Sequence, residues 1–316
     1  MAKIGIFDSG YGGLTILDAI RRELPEYDYL YLGDNARAPY GTHSFDVIYR
    51  YTLQAVNYLI NKNCALIILA CNTASAKALR TIQQRDLPEI NRQLAIQSSI
   101  NRSIVNRPIV NVLGVIRPTV EAVPAITKSG HVGILGTPAT VSSESYVLEL
   151  EKLSVSPKDG PSVKRSDSET VCQRSGLVVT QQACPMWVPL IEAGEQNSPG
   201  ADYFVDKYLR EILAKDPLID TLVLGCTHYP LLKEKIDRYL QSNPIIPNTP
   251  IIRTIAQGDL VAHSLKDYLQ RHPEYRDQLS LNGTCTYLTT ENADRFSQSA
   301  SLFLSAPIVA EHINLA

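Results

Sequence analysis

The sequence predicts an α/β protein of two similar lobes, each a mostly parallel sheet flanked by helices, with an active site in the cleft between them. Three observations predict it. Short apolar runs alternate with segments of helical period, runs such as Leu66-Ile67-Ile68-Leu69-Ala70 lack the alternation of a half-exposed strand, and one succession of runs recurs later in the chain.

Residues 3–7 read as the first strand. Leu14, Leu17, Ile20 and Leu24 then recur at helical spacing until Pro25 closes the segment. Residues 29–32 form a second strand, Ile48, Tyr51, Ala55 and Leu59 mark the next helix, and 66–70 is a strand covered on both faces. Ala74, Ala78, Leu79 and Ile82 give a further helix. In the second half, strand 131–135 runs through Gly136-Thr137-Pro138-Ala139-Thr140 into a helix that reaches Leu150, and strand 221–224 ends at Gly225-Cys226. Lys3-Ile4-Gly5-Ile6 thus matches His131-Val132-Gly133-Ile134, and Leu66-Ile67-Ile68-Leu69-Ala70-Cys71 matches Thr221-Leu222-Val223-Leu224-Gly225-Cys226. The second copy is longer by about the length of the polar stretch 151–176, which reads as an inserted surface loop or hairpin. The lobes are expected at 1–108 with 255–316, and at 109–254.

A chain of 316 residues, 44% hydrophobic, suggests two domains or one large one, with ample material for a packed core. Lys plus Arg is 30 against 32 for Asp plus Glu, a formal net charge of −2, so neither a nucleic-acid partner nor an acidic interaction arm is indicated. The apolar runs are too short for a membrane span, and Met1-Ala2-Lys3-Ile4-Gly5-Ile6-Phe7-Asp8 lacks the apolar core of an export signal. A cytoplasmic protein without membrane contact is expected. Its six cysteines include no C-x-x-C pair, which argues against structural zinc and a redox pair and leaves them as free thiols.

Chemistry in open α/β sheets collects beyond the carboxyl ends of the strands, and three motifs fall there. In Phe7-Asp8-Ser9-Gly10-Tyr11-Gly12-Gly13 the glycines permit a tight turn and bring backbone amides to a ligand. A dinucleotide fingerprint fails because Thr15 holds its third glycine position, and a plain strand-to-helix loop fits equally well. In Ala70-Cys71-Asn72-Thr73-Ala74-Ser75 a thiol stands at a helix N-terminus, where the macrodipole draws a pKa of about 8.5 toward neutrality. The alternative is a packed cysteine beneath an Asn72 or Thr73 cap. In Gly225-Cys226-Thr227-His228-Tyr229-Pro230 the imidazole can stabilise a thiolate or exchange its proton, or serve as a structural donor. The pairing of the last two motifs favours chemistry. Cysteines at equivalent ends of two lobes can face one another, and two opposed thiols suit the transfer of a proton from one face of a carbon to the other. A single base tends to return the proton to the face it came from. Hydroxyls, amides and backbone N–H groups would hold the substrate's carboxylates still meanwhile.

Residues 4–13, Asp34 to Tyr40-Gly41, Ala70-Cys71-Asn72-Thr73-Ala74, Gly136-Thr137-Pro138-Ala139-Thr140, Ala183-Cys184-Pro185 with Val188-Pro189-Leu190-Ile191-Glu192, and Gly225 to Pro230 occur in this order. In these strings the chain resembles the cofactor-independent aspartate/glutamate racemase superfamily. Cys-Thr-His is similar to its glutamate-specific branch, whereas the aspartate enzymes tend to carry Cys-Thr-Glu. The resemblance implies interconversion of L- and D-glutamate, with D-glutamate destined for peptidoglycan precursors. It implies no pyridoxal phosphate, metal or nucleotide, and a homodimer. Cys71 and Cys226 would be the acid/base catalysts, one for each enantiomer, assisted by Asp8 and His228, with Glu192 in the second thiol's neighbourhood. Asp8, Ser9, Tyr40, Gly41, Asn72, Thr73, Thr227 and His228 would hold the substrate, with Thr137 and Thr140 as further ligands. Cys184 is taken as structural, and Cys64, Cys172 and Cys285 as packing or surface thiols. The departures from the family pattern are the 151–176 insertion, a smaller addition between 89 and 108, and Ile116-Arg117-Pro118-Thr119. In that last string many members have an acidic residue and a glycine after the isoleucine. The rivals are a racemase of the same superfamily acting on aspartate or a hydantoin, a single-thiol hydrolase using Cys226 and His228, and a non-catalytic binding protein of the same fold.

Overall fold

The computed structural model describes residues 1–100, 109–153, 177–242, 251–304 and 306–315. Two units divide the chain, Met1–Val115 with Val261–Ala316, and Ile116–Leu260. The expected insertion at 151–176 lies, from 154 onward, outside the described residues, as do 101–108 of the smaller addition and Cys172.

The strands are β1 Lys3–Asp8, β2 Tyr29–Gly33, β3 Cys64–Leu69, β4 Asn111–Gly114, β5 His131–Gly136, β6 Val178–Ala183, β7 Thr221–Gly225, β8 Arg253–Ile255, β9 Cys285–Thr289 and β10 Ala310–His312. The first unit holds a six-stranded sheet in the order β10-β9-β2-β1-β3-β4, and the second a four-stranded sheet in the order β6-β5-β7-β8. Every pairing is parallel. The order β2-β1-β3-β4 in one unit is repeated as β6-β5-β7-β8 in the other, which gives the sequence repeat a structural form. The lobe boundary expected at 109 shifts. β4 pairs with β3 from Leu66 opposite Asn111 to Leu69 opposite Gly114, so this strand closes the edge of the first sheet. β8 likewise extends the second sheet through Ile255, opposite Val223.

Both faces of the first sheet are covered, so its strands read as unbroken apolar runs. Ile4, Ile6, Leu66 and Ile68 pack with Leu14, Leu17 and Ile20 on one side. Phe7, Ile67 and Leu69 pack with Ile48, Val56 and Leu59 on the other. Each fully buried aliphatic or aromatic side chain contributes about 1.5–3 kcal/mol. In the second unit Gly133 admits the helix Pro199–Lys215 close to β5. A Cβ at Gly133 would lie 2.5 Å from Leu222 Cδ2 and 2.9 Å from Ile212 Cδ1.

Buried carboxylates staple the amino ends of the strands. Asp28, just before β2, accepts from the Thr284 N–H at 2.9 Å and from Asn282 Nδ2 at 2.6 Å. Asp220, just before β7, accepts from the backbone of Lys128 and Ser129 at 2.6 and 2.7 Å and from the hydroxyls of Thr127 and Thr221. Burial opposes ionisation of Asp220, but these four donors outweigh it and hold the carboxyl at about 2. Asp28 is held well below the usual carboxylate range by the same balance. A depressed folded pKa stabilises the fold above the unfolded value of about 3.9, and that stabilisation is lost as pH falls through the folded one. Melting temperature should therefore drop steeply from about pH 4 to about pH 2. Asp220→Asn should melt lower at neutral pH and show a shallower acid slope; an unchanged slope would remove Asp220 from the account.

Candidate active site

In the first unit the turn after β1 and the end of β3 come together. Asp8 is 1% exposed, and its Oδ2 accepts the Gly10 N–H at 2.9 Å. The turn can close on Asp8 because Gly13 has no side chain. A Cβ there would lie 2.5 Å from Asp8 Cβ and 3.1 Å from Ala70 Cβ. Tyr31 on β2 donates to the Gly10 carbonyl at 3.1 Å. Tyr11 donates to Glu291, and its ring stacks on Phe296 and Phe303 at 5.4 and 5.8 Å.

Cys71 is the N-cap of the helix Asn72–Lys77. Its Sγ accepts the Ala74 N–H at 3.4 Å and stands 3.1 Å from Ser9 Oγ. Ser75 donates to the Leu69 carbonyl at 2.9 Å and so fixes the strand end beneath the thiol. Asn72 and Thr73 occupy the first helical turn and are buried. The cap expected at Asn72 or Thr73 is instead Cys71 itself, whose sulfur accepts a peptide N–H, a contact suited to a negative charge.

Past the end of β2, Asp34 is fully buried. It accepts from Arg37 Nε at 2.7 and 3.0 Å, from Thr290 Oγ1 at 2.9 Å and from the Tyr40 hydroxyl. The Tyr40 phenol is therefore committed to Asp34, and the turn Tyr40-Gly41 offers its backbone. Asp34 and Thr290 received no role from the sequence. An aspartate following an apolar strand is the trace that could have flagged the first, but nothing in the spacing joins it to a threonine near the C-terminus.

In the second unit Cys226 follows β7 directly. Its Sγ lies 3.8 Å from His228 Nδ1, and His228 Nε2 lies 3.0 Å from Glu192 Oε1 at the end of the helix Trp187–Glu192. Burial alone would lower the pKa of His228, but the thiol on one ring nitrogen and the carboxylate on the other outweigh it and raise it to about 10. The two contacts favour the protonated ring, a form suited to stabilising a thiolate. Tyr229 donates to the Cys184 carbonyl at 3.1 Å, and its ring meets Trp187 edge-on at 4.8 Å. Cys184 is buried, and burial, reinforced by the Cys226 charge, pushes its thiol well up, in keeping with a structural part. Thr227 is buried beside Cys226.

Thr137, at the end of the neighbouring β5, caps the helix Pro138–Ser142 by accepting the Thr140 N–H at 3.2 Å. The two threonine hydroxyls are 3.0 Å apart, and Thr140 is fully buried. Asp8, Ser9, Cys71, Asn72 and Thr73 thus gather at one sheet's carboxyl edge, and Thr137, Glu192, Cys226, Thr227 and His228 at the other's. Among the described residues no group of three His, Cys, Asp or Glu side chains is arranged to hold a metal ion.

Residues 14–256 match the Asp/Glu/Hydantoin racemase family. The chain belongs to that family. It is 36% identical over 318 residues to the glutamate racemase of Ruegeria sp. (strain TM1040), covering 98% of each chain. The crystal structure of glutamate racemase isoform RacE1 from Bacillus anthracis aligns with a TM-score of 0.75 at 28% identity, covering 99% of this chain and 98% of that one. Glutamate racemase from Francisella tularensis in complex with D-glutamate aligns at 0.73, also 28% identical, with the same coverage.

For this racemase-family chain two consequences can be measured. The imidazole carbons of His228 should titrate near pH 10 by NMR, and Glu192→Gln should move that midpoint toward neutrality; a midpoint near 6.5 in the unaltered protein would exclude the imidazolium. Gly13→Ala must displace Asp8 or the turn, so the fold should lose about 1–3 kcal/mol and racemisation should slow. A fully active, equally stable alanine variant would contradict the close approach.

Proposed function

We propose that this chain is a glutamate racemase acting by proton transfer alone, with Cys71 and Cys226 as its acid/base pair. One observation carries the reading: each unit presents a buried cysteine beyond the strand paired with its first strand, β3 beside β1 and β7 beside β5, each with its own polar partner. A thiolate at one cysteine takes the α-proton, breaking Cα–H and forming S–H. The other thiol gives its proton to the opposite face of the carbanion, breaking S–H and forming the new Cα–H bond. The reverse reaction exchanges the roles. Thiols suit both, since their two protonation states are accessible near neutrality.

The surroundings divide the work. Ser9 and the Ala74 N–H support charge on Cys71, and Asp8 stands at the same turn as a proton partner. His228, oriented by Glu192, stabilises the Cys226 thiolate and returns a proton to it. Ser9, Asn72, Thr73, Thr227 and the backbone of Tyr40-Gly41 hold the substrate's carboxylates and amino group, joined by Thr137 on its Thr140 support. Preorganised donors of this kind stabilise the developing carbanion without reorganisation. The product D-glutamate feeds peptidoglycan precursors. The protein works as a cytoplasmic homodimer, which light scattering would test by a mass of two chains. No helix among the described residues is long and apolar enough to cross a membrane, consistent with this setting.

Incubation with L-glutamate in deuterated water should place deuterium at Cα of the D-glutamate formed. Cys71→Ser and Cys226→Ser should each lose about 10³-fold or more in racemisation, as expected when a general acid or base is removed. Product without α-deuterium would end the two-base reading. A Cys71→Ser variant that keeps most of its activity would point instead to single-thiol chemistry at Cys226, and turnover of aspartate alone would overturn the choice of substrate.

A further inference from the structure

Gln257 stands just past the end of β8, level with the end of β7. Ile255 pairs with Val223, and Gln257 and Gly225 each lie two residues further along their chains. Its side chain is buried, and its Nε2 donates to Thr119 Oγ1 and to the Tyr146 hydroxyl, both at 2.9 Å. Thr119 and Tyr146 are themselves fully buried. Three polar side chains from the helix Ile116–Ile126, the helix Ser145–Leu153 and the end of β8 thus share one network, and none belongs to the site described above. Interior polar groups are costly compared with an apolar filling unless all are satisfied, so such a network calls for a reason.

Its location supplies one. The Tyr146 ring edge lies against Gly225, the residue before Cys226. A Cβ at Gly225 would meet Tyr146 Cε2 at 3.3 Å and the Leu135 carbonyl at 2.9 Å. The phenol is close enough that, after burial, charge on Cys226 is the next influence raising its pKa.

We infer that Gln257, acting through Tyr146 and Thr119, is a positioning residue for Cys226. It fixes the Tyr146 ring against the Gly225–Cys226 peptide, and thereby the place of the sulfur beside His228. The inference rests on the reading of Cys226 as an acid/base group.

The test uses the full chain with Gln257→Leu and Tyr146→Phe, the second keeping the ring and its packing. Alkylation by iodoacetamide is followed separately at Cys226 and Cys71, by mass spectrometry of their peptides, across about pH 6 to 9. The expected result is a change of about threefold or more in the Cys226 rate, or a shifted pH midpoint, with Cys71 unaffected. Turnover should fall about tenfold with KM within about twofold, as for a misplaced catalytic group. An unchanged Cys226 profile in both variants overturns the inference, and so does an equal change at both cysteines, which would mean general loosening. If Cys226→Ser stays active, the acid/base reading fails, while the alkylation comparison still decides whether Gln257 positions the sulfur.

Discussion

The parallel register of the central ladders is the constraint on which the rest depends. β1 and β3 pair from Ile4 opposite Leu66 to Phe7 opposite Leu69, so Asp8-Ser9 and Ala70-Cys71 emerge at one level. β5 and β7 pair from Val132 opposite Thr221 to Gly136 opposite Gly225, so Thr137 and Cys226 emerge together. A slip of one residue would turn each strand's side chains to the other face, driving Ile6 and Ile68 into the core shaped around Phe7 and Leu69. The packing of two distinct cores therefore fixes the level at which each cysteine leaves its sheet.

Within that shared frame the two thiols are served differently. Cys71 has neutral partners, a hydroxyl and a peptide N–H, supplied locally by the turn after β1 and the helix it caps. Cys226 has an imidazole whose charged form is favoured by a carboxylate on another element. Neutral dipoles stabilise charge on sulfur without fixing a charge of their own in the interior. An imidazolium acts more strongly but has to be matched, which gives Glu192 its place. Two chemically unlike surroundings thus serve one kind of atom.

Much of this was legible from residues alone. The strands at 3–7, 29–32, 66–70, 131–135 and 221–224 stand out because unbroken apolar runs with turn residues after them admit few other readings, and the repeat follows from comparing them. Cys71 and Cys226 were visible as thiols at strand ends, and His228 as the neighbour of Cys226 in sequence. What escaped were β4, β6, β8, β9 and β10; Asn111-Val112-Leu113-Gly114, for one, is too short to announce which sheet it joins. Also hidden were partners brought by tertiary contact, such as Thr290 on Asp34 and Gln257 on Thr119, each pair far apart in the chain. The lobe boundary moved for the same reason: a hydrogen-bonded edge strand decides it, and periodicity carries no record of its partner.

The two ends of each sheet answer opposite demands. At the amino ends, Asp28 and Asp220 accept several donors from neighbouring turns, so their charge holds the chain in register. At the carboxyl ends the turns lean on glycine, with Gly13 against Asp8 and Gly225 against Tyr146, so that side chains of neighbouring elements can come close to the sulfurs. Glycine weakens a turn by leaving the unfolded chain more freedom, and polar groups near the thiols replace apolar packing. A sheet stapled firmly at one end can carry such a polar, glycine-rich edge at the other. The carboxylates beneath the strands are therefore part of why the thiols above them keep their places.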